Sequence, residues 1–158
     1  MRSASSSARS SSSSSRKSKP LTTELLAPAG GQEALVAAVQ SGADAVYMGF
    51  GAFNARRSAR NFSDEEFRAA VSYCHLRGVK VYLTLNTLVT DRELPALAAE
   101  ARTASECGVD AILVQDWGVL ATLQKIIPDV PLHASTQMSL HTCLLYTSDA
   151  ADDRISVD

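Results

Sequence analysis

The sequence predicts an α/β fold, an incomplete (β/α)8 barrel of the TIM type with about four βα units plus a fifth strand. Three observations lead there. Five short apolar runs recur between Glu24 and Gln137 with helical stretches between them, and strands alternating with helices of about 10–15 residues make βαβ units in a parallel sheet. The third run, residues 79–86, is apolar on both faces, as a strand covered by helices should be. Asn86, Gln115, Asp116, Ser135 and Gln137 fall at or just past the carboxyl ends of the runs, where barrel active sites lie. The competing architecture, an open doubly wound sheet, lacks its dinucleotide signature, because Pro28-Ala29-Gly30-Gly31 follows the first run without a Gly-x-Gly-x-x-Gly. A full barrel takes about eight units and roughly 200–250 residues. Residues 21–142 are therefore expected to form the amino-terminal half of one.

Each element has a local reason. The first strand is predicted over 24–27, and the turn at Gly30-Gly31 opens a helix over 32–40 that stops at Ser41-Gly42. After a second strand over 45–48, Ser63 stands as a helix cap with Glu66 three residues on, a capping box, and Phe67, Val71 and Cys74 share one face. That helix ends at Gly78. A third helix is expected from about Asp91 to Cys107, with Leu94, Leu97, Ala98 and Ala101 at helical spacing and Pro95 near its start, where proline does least harm. A fourth strand over 111–114 leads to a helix from about Trp117 to Ile127, which Pro128 ends. The fifth strand covers 131–135.

Charge is distributed unevenly. Residues 1–20 carry five basic residues and no acid, whereas residues 21–142 carry nine Lys/Arg against thirteen Asp/Glu. The predicted domain is thus mildly acidic and has no overall basic field for nucleic acid. The Ser/Arg-rich stretch 1–20 cannot bury a core and is expected to be disordered, either a solvated tail or a polybasic arm. Cys74, Cys107 and Cys143 show neither a Cys-x-x-Cys pair nor zinc spacing, which fits unpaired thiols in a reducing cytoplasm. No metal ligands are assigned. No apolar run reaches 18 residues, so no membrane span or membrane partner is expected.

The last residues have another character. Cys143 to Asp152 back-translates as TGT CTC TTA TAC ACA TCT GAC GCT GCC GAC, which resembles, codon by codon, the transposon-end adaptor of short-read sequencing libraries. Residues 143–158 are accordingly expected to be translated adaptor rather than native protein. Finding these codons in the source DNA would overturn that expectation.

Two groups of residues carry candidate chemistry. The fourteen-residue loop after the second strand, residues 49–62, is long for a βα connection. It places Arg56, Arg57 and Arg60 where planar guanidinium forks either clamp a carboxylate or phosphate or pair with surface acids. On the fifth strand the two-residue period puts His133, Ser135 and Gln137 on one face, which joins them to Asn86 and Gln115 if it faces the barrel interior. A lone imidazole without a paired acid or second histidine is, however, read first as a hydrogen-bonded core residue, which is the other reading of His133. Asp116 either contacts substrate or caps the fourth helix. No nucleophile–base–orienter set and no His-Glu-x-x-His motif appears.

Several segments, in this order, resemble one known family. They are Glu24-Leu25-Leu26-Ala27-Pro28-Ala29-Gly30, Gly42-Ala43-Asp44-Ala45-Val46-Tyr47-Met48-Gly49, Leu83-Thr84-Leu85-Asn86-Thr87, Gly108-Val109-Asp110-Ala111 with Val114-Gln115-Asp116, and His133-Ala134-Ser135-Thr136-Gln137. They resemble the opening of the collagenase-like peptidases, family number thirty-two among peptidases of unassigned mechanism. The resemblance implies a barrel-like first domain in a cytoplasmic enzyme. The leading expectation is hydroxylation of cytidine or uridine in transfer or ribosomal RNA. It implies RNA and an acidic, prephenate-like small molecule as partners, and an iron–sulfur cluster on cysteines further along. Cys74 and Cys107 lie outside the cluster motif and inherit no ligand role. Peptide-bond cleavage by a collagenase-like protease is the alternative implied activity. A third expectation is that the segment alone is a non-catalytic, incomplete domain with open sheet edges.

Overall fold

The computed structural model describes residues 23–55 and 62–139. Both chain ends, including the 1–20 and 143–158 stretches, lie outside the described residues, as do Arg56, Arg57 and Arg60. Five strands, β1 (Leu26–Pro28), β2 (Ala45–Met48), β3 (Lys80–Leu85), β4 (Ala111–Val114) and β5 (Leu132–Ala134), alternate with α1 (Gln32–Gln40), α2 (Asp64–His75), α3 (Leu94–Cys107) and α4 (Trp117–Ile126). The strands are all parallel and lie in chain order, β1-β2-β3-β4-β5. A doubly wound sheet reverses its strand order at a switch point, and this one does not. It is an arc of an α/β barrel.

Right-handed crossovers that always advance in one direction put every helix on the same side of the sheet. The side chains follow. Val46, Met48, Val81, Leu83, Ile112 and Val114 point outward and pack against Leu35 of α1, Phe67 and Val71 of α2, Leu97 of α3 and Leu123 of α4. On the opposite face Ala45, Tyr82 and Ala111 form a separate small cluster, with Tyr47 and Leu113 against it. Residues paired across a parallel ladder share a face. Tyr47↔Tyr82↔Ala111 is accordingly one interior layer, and Thr84↔Leu113↔His133 is the next one up.

The amino ends of the strands are tied by a repeated device. In Gly42-Ala43-Asp44-Ala45, Asp44 donates its N–H to the Leu25 carbonyl at 2.9 Å and accepts the Leu25 N–H on Oδ2 at 2.8 Å. Asp110 does the same to Val81 in Gly108-Val109-Asp110-Ala111, at 2.9 and 2.7 Å. Asp110 Oδ2 also meets His75 Nε2 of α2 at 3.0 Å. Beside these ties Glu24 reaches Lys80 Nζ at 3.4 Å and accepts from the Tyr82 hydroxyl, both on β3. Side chains at this end of a barrel serve stability rather than catalysis.

The elements fall close to their predicted bounds, with one instructive shift. Helix α3 begins at Leu94 rather than near Asp91 because Glu93 Oε2 accepts both the N–H and the hydroxyl of Thr90 at 2.8 Å, closing a turn before the helix. The predicted capping box is present: Ser63 Oγ accepts the Glu66 N–H at 3.2 Å and Glu66 Oε2 accepts the Ser63 N–H at 2.9 Å. Among the described residues, no helix is long and apolar enough to cross a membrane.

Ser63→Ala removes one half of this box and is expected to cost about 1 kcal/mol in urea denaturation. Phe67→Ala, in the outer core, is expected to cost about 3–5 kcal/mol. Equal effects of the two would contradict the division between local cap and core.

Candidate functional site

The interior face of the sheet opens at its carboxyl end into a cavity of about 430 Å³. Its floor is the two interior layers, with Tyr47, Tyr82, Thr84, Leu113 and His133. Its rim is made by the segments just after the strands: Ala29-Gly30, Gly49, Asn54-Ala55, Asn86 and residues 135–137. The His133 ring stands edge-on to Tyr82 with centroids 5.2 Å apart. Thr84 Oγ1 donates to the Met48 carbonyl at 3.1 Å, which satisfies a buried hydroxyl between β2 and β3. None of the described lining residues carries a formal charge at neutral pH unless His133 is protonated.

Asn86 joins the two sides of the rim. Its Oδ1 accepts the Ala55 N–H at 3.1 Å, and its Nδ2 donates to Ser135 Oγ at 3.5 Å, a long and weak contact. The segment 49–55 is bent back over the cavity by close packing at two glycines. A Cβ on Gly49 would lie 2.6 Å from Asn54 Cγ, so only glycine lets the fully buried Asn54 side chain fold against the chain there. Gly51 has φ +63°, and a Cβ on it would lie 2.2 Å from a carboxylate oxygen of Glu100.

Glu100 on α3 holds this segment from outside. Its Oε2 accepts the Ala52 N–H at 3.2 Å, and its Oε1 is buried with no hydrogen-bond partner among the described residues. Burial pushes the carboxyl up to about 7; the charge of Asp64 adds to this and the Ala52 hydrogen bond opposes it. Glu100 thus positions the loop whose far side forms the rim.

The structure brings four of the sequence-predicted residues, Asn86, His133, Ser135 and Gln137, around one cavity. It does not bring Gln115 or Asp116 into that lining. Asp116 Oδ1 accepts the N–H groups of Gly118 and Val119 at 2.7 and 3.0 Å and so caps α4. Sequence reasoning missed Tyr47, Tyr82, Asn54 and Glu100. The strand alternation that selected His133 also points Tyr47 and Tyr82 inward, but Asn54 and Glu100 are set by contacts with no local signal. Cys74 is fully buried in the helix layer, where burial raises its thiol to about 11, and Cys107, raised in the same sense, sits at that layer's margin. Neither is an exposed nucleophile. Among the described residues no group of three or more His, Cys, Asp or Glu is placed to hold a metal. These cysteines, on separate helices, do not fit an iron–sulfur cluster.

Comparison with known proteins agrees with this geometry. The family model for peptidase family U32 matches residues 30–145. A "23S rRNA 5-hydroxycytidine synthase" of Escherichia coli is 40% identical over 119 residues, 75% of this chain and 18% of that protein. The "tRNA hydroxylation protein P1" of Bacillus subtilis is 37% identical over 74% of this chain and 28% of its own length. A "Collagenase" of Porphyromonas gingivalis is 36% identical over the same two shares. The chain therefore spans under a third of these relatives. The solved structure of a U32 peptidase superposes with a TM-score of 0.57 at 17% identity, over 82% of this chain and 56% of that one, a likeness of fold.

The raised Glu100 pKa has a definite sign. A carboxyl whose folded value exceeds its unfolded one contributes stability that is full below about pH 4.5 and is lost as pH rises through about 7. Glu100→Gln should flatten this part of the pH dependence and melt at a higher temperature than the parent above pH 7, in thermal scans across that range. Identical pH profiles for the two proteins would refute the role given to this carboxyl.

Proposed function

The chain belongs to peptidase family U32, and from that premise we propose that its parent protein hydroxylates a pyrimidine nucleotide in transfer or ribosomal RNA. In this reading the described barrel arc binds the substrate. The carrying observation is the cavity at the carboxyl end of the sheet, with aromatic and apolar walls and a rim of carboxamides and hydroxyls. Such a lining suits recognition of a flat, hydrogen-bonding group. The relatives named for RNA hydroxylation support the same reading.

Peptide-bond hydrolysis is the second reading, favoured by the relative named collagenase. The described cavity gives it little chemistry. Ser135 Oγ meets Asn86, and none of the described lining residues is a carboxylate. Arg56, Arg57 and Arg60 remain candidates for an RNA phosphate or an acidic co-substrate such as prephenate, on their charge and their place in the loop after β2. An iron–sulfur cluster belongs to this proposal only through residues other than Cys74 and Cys107, and no step is assigned to it.

Deleting the complete gene and analysing bulk transfer and ribosomal RNA by mass spectrometry tests the proposal. The expected outcome is loss of one pyrimidine species heavier than its parent by a single oxygen. An unchanged nucleoside profile, together with lost gelatin-degrading activity, would decide for the peptidase.

A further inference from the structure

We propose that the interior cavity is the seat of a single unstacked nucleobase, held among the rings of Tyr47, Tyr82 and His133 with its polar edge toward Asn86 and Gln137. The inference rests on the RNA-modifying reading above and names the part of the RNA that this site takes.

Three features of the cavity carry it. The first is charge. No Asp, Glu, Lys or Arg is among its described lining residues, so these walls select a guest by shape and hydrogen-bond pattern. A flat, neutral base meets both demands. The second is the floor. Tyr47 and Tyr82 are neighbours in one interior layer, and His133 meets Tyr82 edge-on at 5.2 Å. Aromatic side chains of these types are those on which splayed-out bases stack. The third is the rim. A carboxamide presents a donor and an acceptor side by side, the pattern that matches a base edge. Gln137 is exposed at the mouth, while Asn86 is oriented by the Ala55 N–H on its Oδ1, which leaves its Nδ2 with only the weak contact to Ser135. One carboxamide is therefore adaptable and the other preset.

Size and access agree. About 430 Å³ lies within the range of roughly 300–1,000 Å³ typical of small-ligand sites, room for a nucleoside and not for a folded RNA segment. Enzymes that act on a base take it out of its stack into such a pocket.

The test uses the 158-residue chain with its tyrosine and histidine rings labelled for NMR. Cytidine, uridine, ribose and succinate are each titrated, and binding of bulk transfer RNA is followed in parallel by gel shift. Saturable movement of the Tyr82 and His133 signals by cytidine or uridine, with ribose and succinate inert, is expected. Tyr47→Leu should weaken nucleoside binding by about tenfold, and so should Gln137→Leu, an exposed change that spares the fold. Transfer RNA binding without any nucleoside response would overturn the base site and leave the RNA reading standing. Absence of both would overturn the two together. Succinate moving the same signals would reassign the cavity to an acidic metabolite. Nucleoside binding indifferent to both substitutions would overturn the placement.

Discussion

The handedness of the strand–helix–strand crossover, applied four times without reversal, governs the rest of this structure. Each right-handed crossover lays its helix on the same side, and the strand order β1 to β5 never turns back. The two faces of the sheet must therefore differ. One is buried under helices and filled with Val, Leu, Ile and Met. The other keeps small and aromatic residues, Ala45, Ala111, Tyr47 and Tyr82, around a concave space. The cavity is a by-product of chirality before it is a device for binding. Its lining had to come from alternate strand positions and from the residues just beyond them.

That dependence explains what could be read from the residues alone. The cap at Ser63, the glycine stops and the period of the strands involve neighbours within a few positions, and all of them emerge in the fold. Placing His133, Ser135 and Gln137 on one side needed only the two-residue repeat. Asp116 shows the limit of such local logic. Its spacing suited a ligand contact and a helix cap equally, and only the hydrogen bonds to Gly118 and Val119 separate the two. Glu100 was invisible, because its partner Ala52 is 48 positions away and its burial depends on how α3 packs. The aspartates of the two Gly-x-Asp-Ala segments were conspicuous as a resemblance, yet their work is structural: they hold Leu25 and Val81, 19 and 29 positions away.

Polar chemistry is divided along the barrel axis. Glu24, Asp44, Lys80 and Asp110 are engaged around the amino ends of the strands, whereas the carboxyl end of the described arc presents amides and hydroxyls. An uncharged recess recognises by shape and by hydrogen-bond pattern rather than by attraction at a distance. A protein whose partner is a polyanion would need its long-range attraction elsewhere, which is the part proposed above for Arg56, Arg57 and Arg60. Separating attraction from identification in this way is common where nucleic acid is handled, since backbone contacts position and base contacts specify.

The doubled ties of Asp44 and Asp110, with Glu24 bridging to β3, make the arc resemble a folding fan riveted at the handle. The rivets join β1 to β2 and β3 to β4 through one side chain each, whereas the described rim is spanned by Asn86, between Ala55 and Ser135. One carboxamide thus does at the open edge what two carboxylates do at the handle.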